Sequence, residues 1–183
     1  MGIWVDFDSD LWLYIPMALP EGYSSPKKWA WDKSVAIAGS LGLSSETTMS
    51  LCKHIESLAE SSNEFEHRFV LLKELDSQIL NVTIMFDANN GEHEDISELL
   101  TNEESDESLL PFKSENLGSG LKALTLRTKK RIFRDDELAY QFRYAFMPPS
   151  LLVTAYATHP QRDFLLRHEN SIDNLVRSVI AVV

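Results

Sequence analysis

The feature that most constrains the fold is a strict alternation of apolar residues in the C-terminal half of the chain. Five residues in succession match a period of two: Leu138, Tyr140, Phe142, Tyr144 and Phe146. This spacing is typical of a β-strand that buries one face. Pro148-Pro149-Ser150 then turns the chain, and 151–158 is apolar enough for a strand buried on both faces. Because successive strands with a short connection pair antiparallel, the pattern predicts an antiparallel sheet.

Similar patterns place the remaining elements. Apolar runs and alternation predict further strands at 3–7, 11–15, 69–75, 80–86 and 120–130. The first two are predicted to form a hairpin, and 134–136 is predicted to be a turn. Apolar residues at three- and four-residue spacing predict helices at 26–41, 45–61, 95–100 and 161–181, the last with a break near Asn170. Since such helices must cover a sheet face, the expected class is α+β, a twisted antiparallel sheet covered by helices.

The 183 residues suit a single domain over 1–183, with the helical pair at 25–61 as part of it. The formal net charge is -11, which argues against nucleic acid and anionic membranes as partners. Nine acidic residues and no Lys or Arg occupy 87–107. Because like charges repel, 101–108 is expected to be a mobile acidic loop. The first residues lack the basic and apolar regions of a signal peptide, so we expect a cytoplasmic protein.

Few residues in the sequence suggest a catalytic or metal-binding role. Cys52 is the one cysteine, so neither an intramolecular disulfide nor a cysteine-based zinc site is possible. Its place on the apolar stripe of the second helix predicts a buried thiol. Asp6, Asp8 and Asp10 are spaced like the start of a calcium loop, but Leu11 stands where that loop needs glycine. No nucleotide-binding loop, nucleophile elbow or zinc-protease helix is present, and we predict no catalytic residue, metal or cofactor.

Two groups of residues are candidates for binding a partner. Aromatic side chains concentrate near the start of the chain: Trp4, Trp12, Tyr14, Trp29 and Trp31. They form either a tryptophan-rich core or an exposed patch that docks a partner, since Trp and Tyr are enriched in interface hot spots. Alternate basic residues stand on one predicted strand: Arg127, Lys129 and Arg131. They form either a solvated face that balances the acidic loop or a surface for a small anionic partner or nucleic acid.

The C-terminal half resembles the Mog1/PsbP-like family over about 65–183. The resemblance rests on Gly118-Ser119-Gly120-Leu121 at the entry to a strand, the aromatic strand 140–146, the buried strand 151–158 and a closing helix through Ile172. It implies an α/β/α sandwich. Members of that family do unlike jobs, including partner binding and support of larger assemblies, and they share no catalytic residues. The resemblance therefore implies a fold and favours a binding role, without an activity.

Three functions remain open from the sequence. The first is a non-enzymatic interaction or accessory domain whose partner is another protein or a second copy of the chain. The second is a carrier of a small apolar ligand between the sheet and the helices at 25–61. The third is an enzyme whose carboxylates meet only in the fold. The first is favoured because the sequence has a tryptophan cluster and segregated charge but no catalytic motif.

Overall fold

The computed structural model describes 2–61, 63–76, 78–90, 95–100, 109–131 and 134–182, without the side chains of 127–131 and 134–138. The predicted acidic loop at 101–108 lies outside the described residues. Helices within these ranges are α1 (Pro26–Leu41), α2 (Ser45–Glu60), α3 (Arg162–Arg167) and α4 (Glu169–Arg177), with a 3-10 helix at Ile96–Leu99. Strands are β1 (Gly2–Val5), β2 (Trp12–Ile15), β3 (Glu66–Leu71), β4 (Asn81–Ala88), β5 (Leu110–Ser114), β6 (Gly118–Arg131), β7 (Arg134–Phe146), β8 (Leu151–His159) and β9 (Val179–Val182).

The chain divides into two compact units, one of 1–7 with 82–183 and the other of 8–81. In the first unit, five strands form an antiparallel sheet in the order β4-β8-β7-β6-β5. Helix α3 packs on β7 and β8, and α4 packs on β5. The alternation of β7 buries Phe142, Tyr144 and Phe146 completely or nearly so. A separate two-stranded ribbon joins β1 to β9.

The second unit pairs β2 with β3 and packs α1 and α2 on them. Its core contains large side chains from all four elements: Ile15, Trp29, Leu51, Ile55 and Val70. The Ser25 hydroxyl caps α1 by accepting a hydrogen bond from the Lys28 backbone N–H, and Pro26 fills the first turn. The Ser44 hydroxyl caps α2 in the same way, from the Thr47 N–H. Short polar caps thus set both helix starts near their predicted positions.

The predicted α+β class, with antiparallel pairing, is confirmed in both units. Strands β7 and β8 are adjacent in the middle of the five-stranded sheet, as expected, with Tyr144 opposite Ala155. The helical pair is also confirmed, as α1 and α2. Among the described residues, no helix combines the length and the apolarity needed to cross a membrane. The prediction of one domain over 1–183 stays a prediction.

The predicted hairpin of 3–7 and 11–15 is wrong. Both segments are strands, but β1 pairs with β9 and β2 pairs with β3. Alternation identifies a strand without identifying its partner, and here each partner comes from a distant part of the chain. The turn predicted at 134–136 is also wrong, since β7 already begins at Arg134.

The predicted helix at 161–181 is wrong in its last part. It breaks at His168, close to the expected break, and ends at Arg177. The remaining residues form β9, whose Val, Ile and Ala residues favour a strand once β1 offers a partner.

The predicted helix at 95–100 is one turn of 3-10 helix, and β5 was not predicted. The inner side of α1 is formed by Trp29, Ala30 and Ser34, whereas Val35 and Ala36 are exposed.

Candidate functional site

A buried lysine lies between the five-stranded sheet and α4. Lys122 stands on β6 directly opposite Tyr144 of β7, and its side chain is only 6% exposed. Its Nζ lies 2.5 Å from Glu169 Oε1 and 2.6 Å from Asp173 Oδ1. These carboxylates are one turn apart on α4. The lysine thus attaches the helix to the sheet through two charge-assisted hydrogen bonds.

Three aromatic rings complete the surroundings of this ammonium group. The Nζ of Lys122 lies 4.4 Å from the ring centroid of Phe142, 5.4 Å from that of Tyr144 and 5.9 Å from that of Phe112. Ring faces carry partial negative charge, so they stabilise a cation that has been withdrawn from water. The arrangement offsets part of the cost of burying Lys122.

Asp173 also accepts a hydrogen bond from a tyrosine hydroxyl group. The Tyr144 hydroxyl donates to Asp173 Oδ1 at 2.6 Å, and Tyr144 is fully buried. Burial, together with the neighbouring Asp173 charge, raises the pKa of Tyr144 far above its usual range, so it stays neutral and remains a donor. Arg177 adds a longer contact, its Nη2 lying 3.7 Å from Asp173 Oδ2. Because Lys122, Tyr144 and Asp173 are enclosed and engaged with one another, this cluster suits helix docking better than catalysis on a substrate.

The cluster also positions the segment that begins at the end of α4. The Ser114 hydroxyl donates to the Arg177 carbonyl at 3.1 Å, and the Asp6 backbone N–H donates to the Ser178 carbonyl at 3.2 Å. Strand β9 begins at the next residue and pairs with β1 from Val5↔Val179 to Gly2↔Val182. The end of α4 is therefore fixed on both sides, and it sets the position of the ribbon.

The ribbon has one buried and one exposed face. Its inner face consists of buried Ile3, Val5 and Val179. Its outer face, which we call the ribbon face, consists of exposed side chains: Trp4, Asp6, Ile180 and Val182. Trp4 is 63% exposed and stands directly opposite Ile180. An indole, an isoleucine and a valine therefore form a small apolar surface beside a carboxylate.

The five aromatic residues predicted as a patch differ in their exposure to solvent. Trp12 and Trp29 are buried, at 2% and 1% exposure, as expected for core residues. Tyr14 is half-buried against the rings of His67 and Phe69, and burial raises its pKa. Trp4 is exposed in the first unit, and Trp31, which is 51% exposed, lies in the second.

The structure describes only the backbone of the three residues that were predicted to form a basic surface. Arg127, Lys129 and Arg131 lie on β6, as predicted, and the register with β7 shifts between Lys129 and Arg131. Their side chains lie outside the described part of the chain. Binding by these three residues stays a prediction.

Four further titratable side chains have buried surroundings that suit a structural role. Burial lowers the pKa of His54, His67 and His159, so these imidazoles stay neutral near pH 7. Cys52 is buried, as predicted, and burial raises its thiol pKa, which makes it a weak nucleophile. In the described ranges, His, Cys, Asp and Glu form no group of three or more that could hold a metal ion.

A cavity of about 350 Å³ lies under the 3-10 helix of the first unit. Its walls include Met85, Leu99, Gln141, Thr154 and Tyr156, so they mix apolar and polar groups. A cavity of about 640 Å³ lies beside the start of α2 in the second unit, and its walls include Ser44, Thr47, Asp76 and Gln78, so they are mostly polar. Carriage of a small apolar ligand stays a prediction.

Sequence reasoning missed Lys122, Glu169 and Asp173. One signal was available, because Lys122 shares the strand parity of Leu124 and Leu126 and so stands on an apolar face. No protein family and no curated protein matches this chain. The likeness to the Mog1/PsbP-like family therefore stays a prediction.

Proposed function

We propose that this protein is a non-enzymatic interaction module that binds a short segment of a partner protein on the ribbon face. The observation that supports the proposal is Trp4, which is 63% exposed and lies directly opposite Ile180. Tryptophan is enriched among the residues that dominate binding energy at protein interfaces. We include the cytoplasmic location expected from the sequence in this proposal.

The size of the ribbon face supports a short segment as the occupant. Trp4, Ile180 and Val182 together expose on the order of 300 Å² of mostly apolar surface, judged from the area of such side chains. A stable protein–protein interface buries about 800 Å² on each partner. The ribbon face is therefore large enough to anchor a peptide-sized segment and too small to hold a second copy of the chain by itself.

Charge indicates the chemistry of that segment. Asp6 is exposed two residues after Trp4, and the whole chain carries a net charge of -11. A partner with Lys or Arg beside its apolar anchor would pair with Asp6 and would associate faster with the acidic protein. We therefore expect an apolar residue flanked by basic residues.

The other two functions have weaker support. An enzyme needs reactive groups that a substrate can reach, whereas Lys122, Asp173 and Tyr144 are enclosed and engaged with one another. A carrier of a small apolar ligand needs an apolar space, whereas the cavity in the second unit has mostly polar walls and lies outside its buried core. The interaction module is the function that the exposed surface supports best.

The test is a selection of binding peptides with the full chain as bait and a random-peptide phage library as the probe. The enriched peptides should contain an apolar residue flanked by Lys or Arg. Trp4→Ala should weaken their binding at least about thirtyfold, which corresponds to a hot spot of about 2 kcal/mol. Trp31→Ala is the matched control, since it removes a similarly exposed indole that is not part of the ribbon face and should leave binding unchanged.

Three outcomes would overturn the proposal. Acidic peptides whose binding is lost in Trp4→Ala would contradict the charge argument, and equal binding of the basic peptides by the Trp4→Ala variant would remove the anchor. Self-association of the free chain in sedimentation velocity, abolished by Trp4→Ala, would show that a second copy covers the ribbon face.

A further inference from the structure

We propose that α1 carries a second docking surface, made of other residues than the ribbon face, which binds an acidic amphipathic segment of another partner. The α1 face, as we call this surface, consists of Lys27, Lys28, Trp31 and Val35. With the ribbon face, it would make the protein an adaptor that joins two partners of opposite charge. The inference goes beyond the proposed function and rests on different residues in a different unit.

The geometry of α1 separates a core side from an exposed side. Trp29, Ala30 and Ser34 are buried, and they direct one side of the helix into its own unit. Trp31 and Val35 are 51% and 46% exposed and stand one turn apart on the other side. Residues at this spacing are neighbours on a helix surface, so they form a continuous apolar strip.

Two lysines flank this strip. Lys27 and Lys28 are exposed about one turn before Trp31, whereas Asp32, the one acidic residue of α1, lies beside Val35, and Lys33 lies on the other side of the helix. Within the described part of the chain, no carboxylate forms an ion pair with Lys27 or Lys28. Acidic residues outnumber basic ones by 28 to 17 in the whole chain, so two lysines beside an exposed indole are out of keeping with the rest.

Charge complementarity identifies the occupant. A partner that covers Trp31 and Val35 must bring apolar side chains, and the adjacent lysines favour carboxylates beside them. An amphipathic helix with Leu or Phe on one side and Asp or Glu at its edges supplies both. A nucleic acid fits less well, because a net charge of -11 repels a polyanion along its whole length.

The test uses the full chain and one synthetic probe. The probe is a fluorescein-labelled peptide with Leu at helical spacing and Glu at the flanking positions, and binding is followed by fluorescence anisotropy. Trp31→Ala should weaken binding by about tenfold or more, and so should the double variant Lys27→Glu/Lys28→Glu. Affinity should fall as salt is raised, because exposed charges are screened.

Two variants and one peptide serve as controls. Lys53→Glu reverses an exposed lysine on α2 of the same unit and should change binding by no more than about twofold. Trp4→Ala removes the indole of the ribbon face and should leave binding unchanged. A peptide of the same composition with its leucines dispersed should bind weakly. Circular dichroism and urea unfolding verify that each variant folds.

The proposal fails if the acidic peptide does not bind the wild-type chain, or if the double charge reversal leaves its binding unchanged. It also fails if single-stranded DNA competes the peptide away and loses binding with the same variants, since the α1 face would then be a nucleic-acid surface. If the acidic probe fails while basic peptides still depend on Trp4, the α1 inference is wrong and the ribbon proposal stands.

Discussion

Lys122 Nζ lies 2.6 Å from Asp173 Oδ1, although 51 residues separate the two in sequence. Both side chains are largely withdrawn from solvent, at 6% and 12% exposure. A buried ion pair of this kind adds little stability compared with well-packed apolar residues, because burying its charges costs free energy. Removing Asp173 costs much more, since Lys122 then stays buried with only the more exposed Glu169 as a counter-charge. The pair therefore favours one position of α4 over others.

Asp173→Asn should lower the free energy of unfolding by about 3–5 kcal/mol, because it leaves Lys122 buried beside a neutral amide. Glu169→Gln is the matched control, since Glu169 binds the same ammonium but is 38% exposed. It should cost about 1 kcal/mol or less. Urea unfolding measures both. Equal losses for the two variants would contradict the distinction between the buried and the exposed carboxylate.

Gly120→Ala should destabilise the protein by about 1–3 kcal/mol, because a methyl group there overpacks the core. An added Cβ would stand 2.5 Å from Phe146 Cδ1 and 2.6 Å from the Ala145 carbonyl oxygen, which is backbone and cannot turn aside. In Gly39→Ala, the added Cβ meets nothing within 4 Å and lies in α1, so this control should stabilise by about 0.5–1 kcal/mol. Thermal unfolding compares the two. If Gly120→Ala left the stability unchanged, β6 and β7 would have to separate easily at this point.

Trp12→Ala should cost about 3–5 kcal/mol of stability, because Trp12 is 2% exposed and its removal leaves a cavity. Trp4→Ala should cost less than about 1 kcal/mol, since most of its indole is already in solvent. Urea unfolding of both variants gives the difference. A large loss for Trp4→Ala would mean that its indole stabilises the fold, and the ribbon face would then be structural.

Stability should fall as the pH drops below about 6.5, the usual pKa of an unfolded histidine. Burial lowers the pKa of His54, His67 and His159 in the folded chain, so the unfolded chain binds more protons in this range. The folded state is therefore favoured above that pH and loses stability as the pH falls towards the folded pKa values. His54→Leu should make the loss shallower. Urea unfolding between about pH 8 and pH 5.5 measures the slope, and a flat profile would contradict burial of these imidazoles.

The sequence predicted correctly those elements whose formation depends on residues close together in the chain. Phe142, Tyr144 and Phe146 lie on one buried face of β7, as their alternation indicated. Ser25-Pro26 marked the start of α1, because a cap and a proline act within one turn. Both signals depend on neighbouring residues and can be recognised without knowing the rest of the fold.

Pairing between distant segments could not be predicted. The residues of β1 alternate as a strand should, but nothing in 2–5 specifies β9 as the partner. The apolar pattern of α4 continues through 179–181 and predicts helix there, but these residues pair with β1 as part of β9. The ribbon face was missed for the same reason, since Trp4 and Ile180 meet only through that pairing. The sequence did identify Trp4 as a candidate, although with the wrong neighbours.

The four indole N–H signals of the full chain test the central claim most directly. In a two-dimensional ¹⁵N–¹H spectrum, each tryptophan gives one such signal, and single substitutions assign them: Trp4, Trp12, Trp29 and Trp31. Titration with a selected peptide carrying an apolar residue between lysines should shift the Trp4 signal. Trp12 and Trp29 should not move, because they are buried, and Trp31 should not move, because it is not part of the ribbon face. A shift of Trp31 with Trp4 unchanged, or no shift at saturating peptide, would contradict binding at the ribbon face.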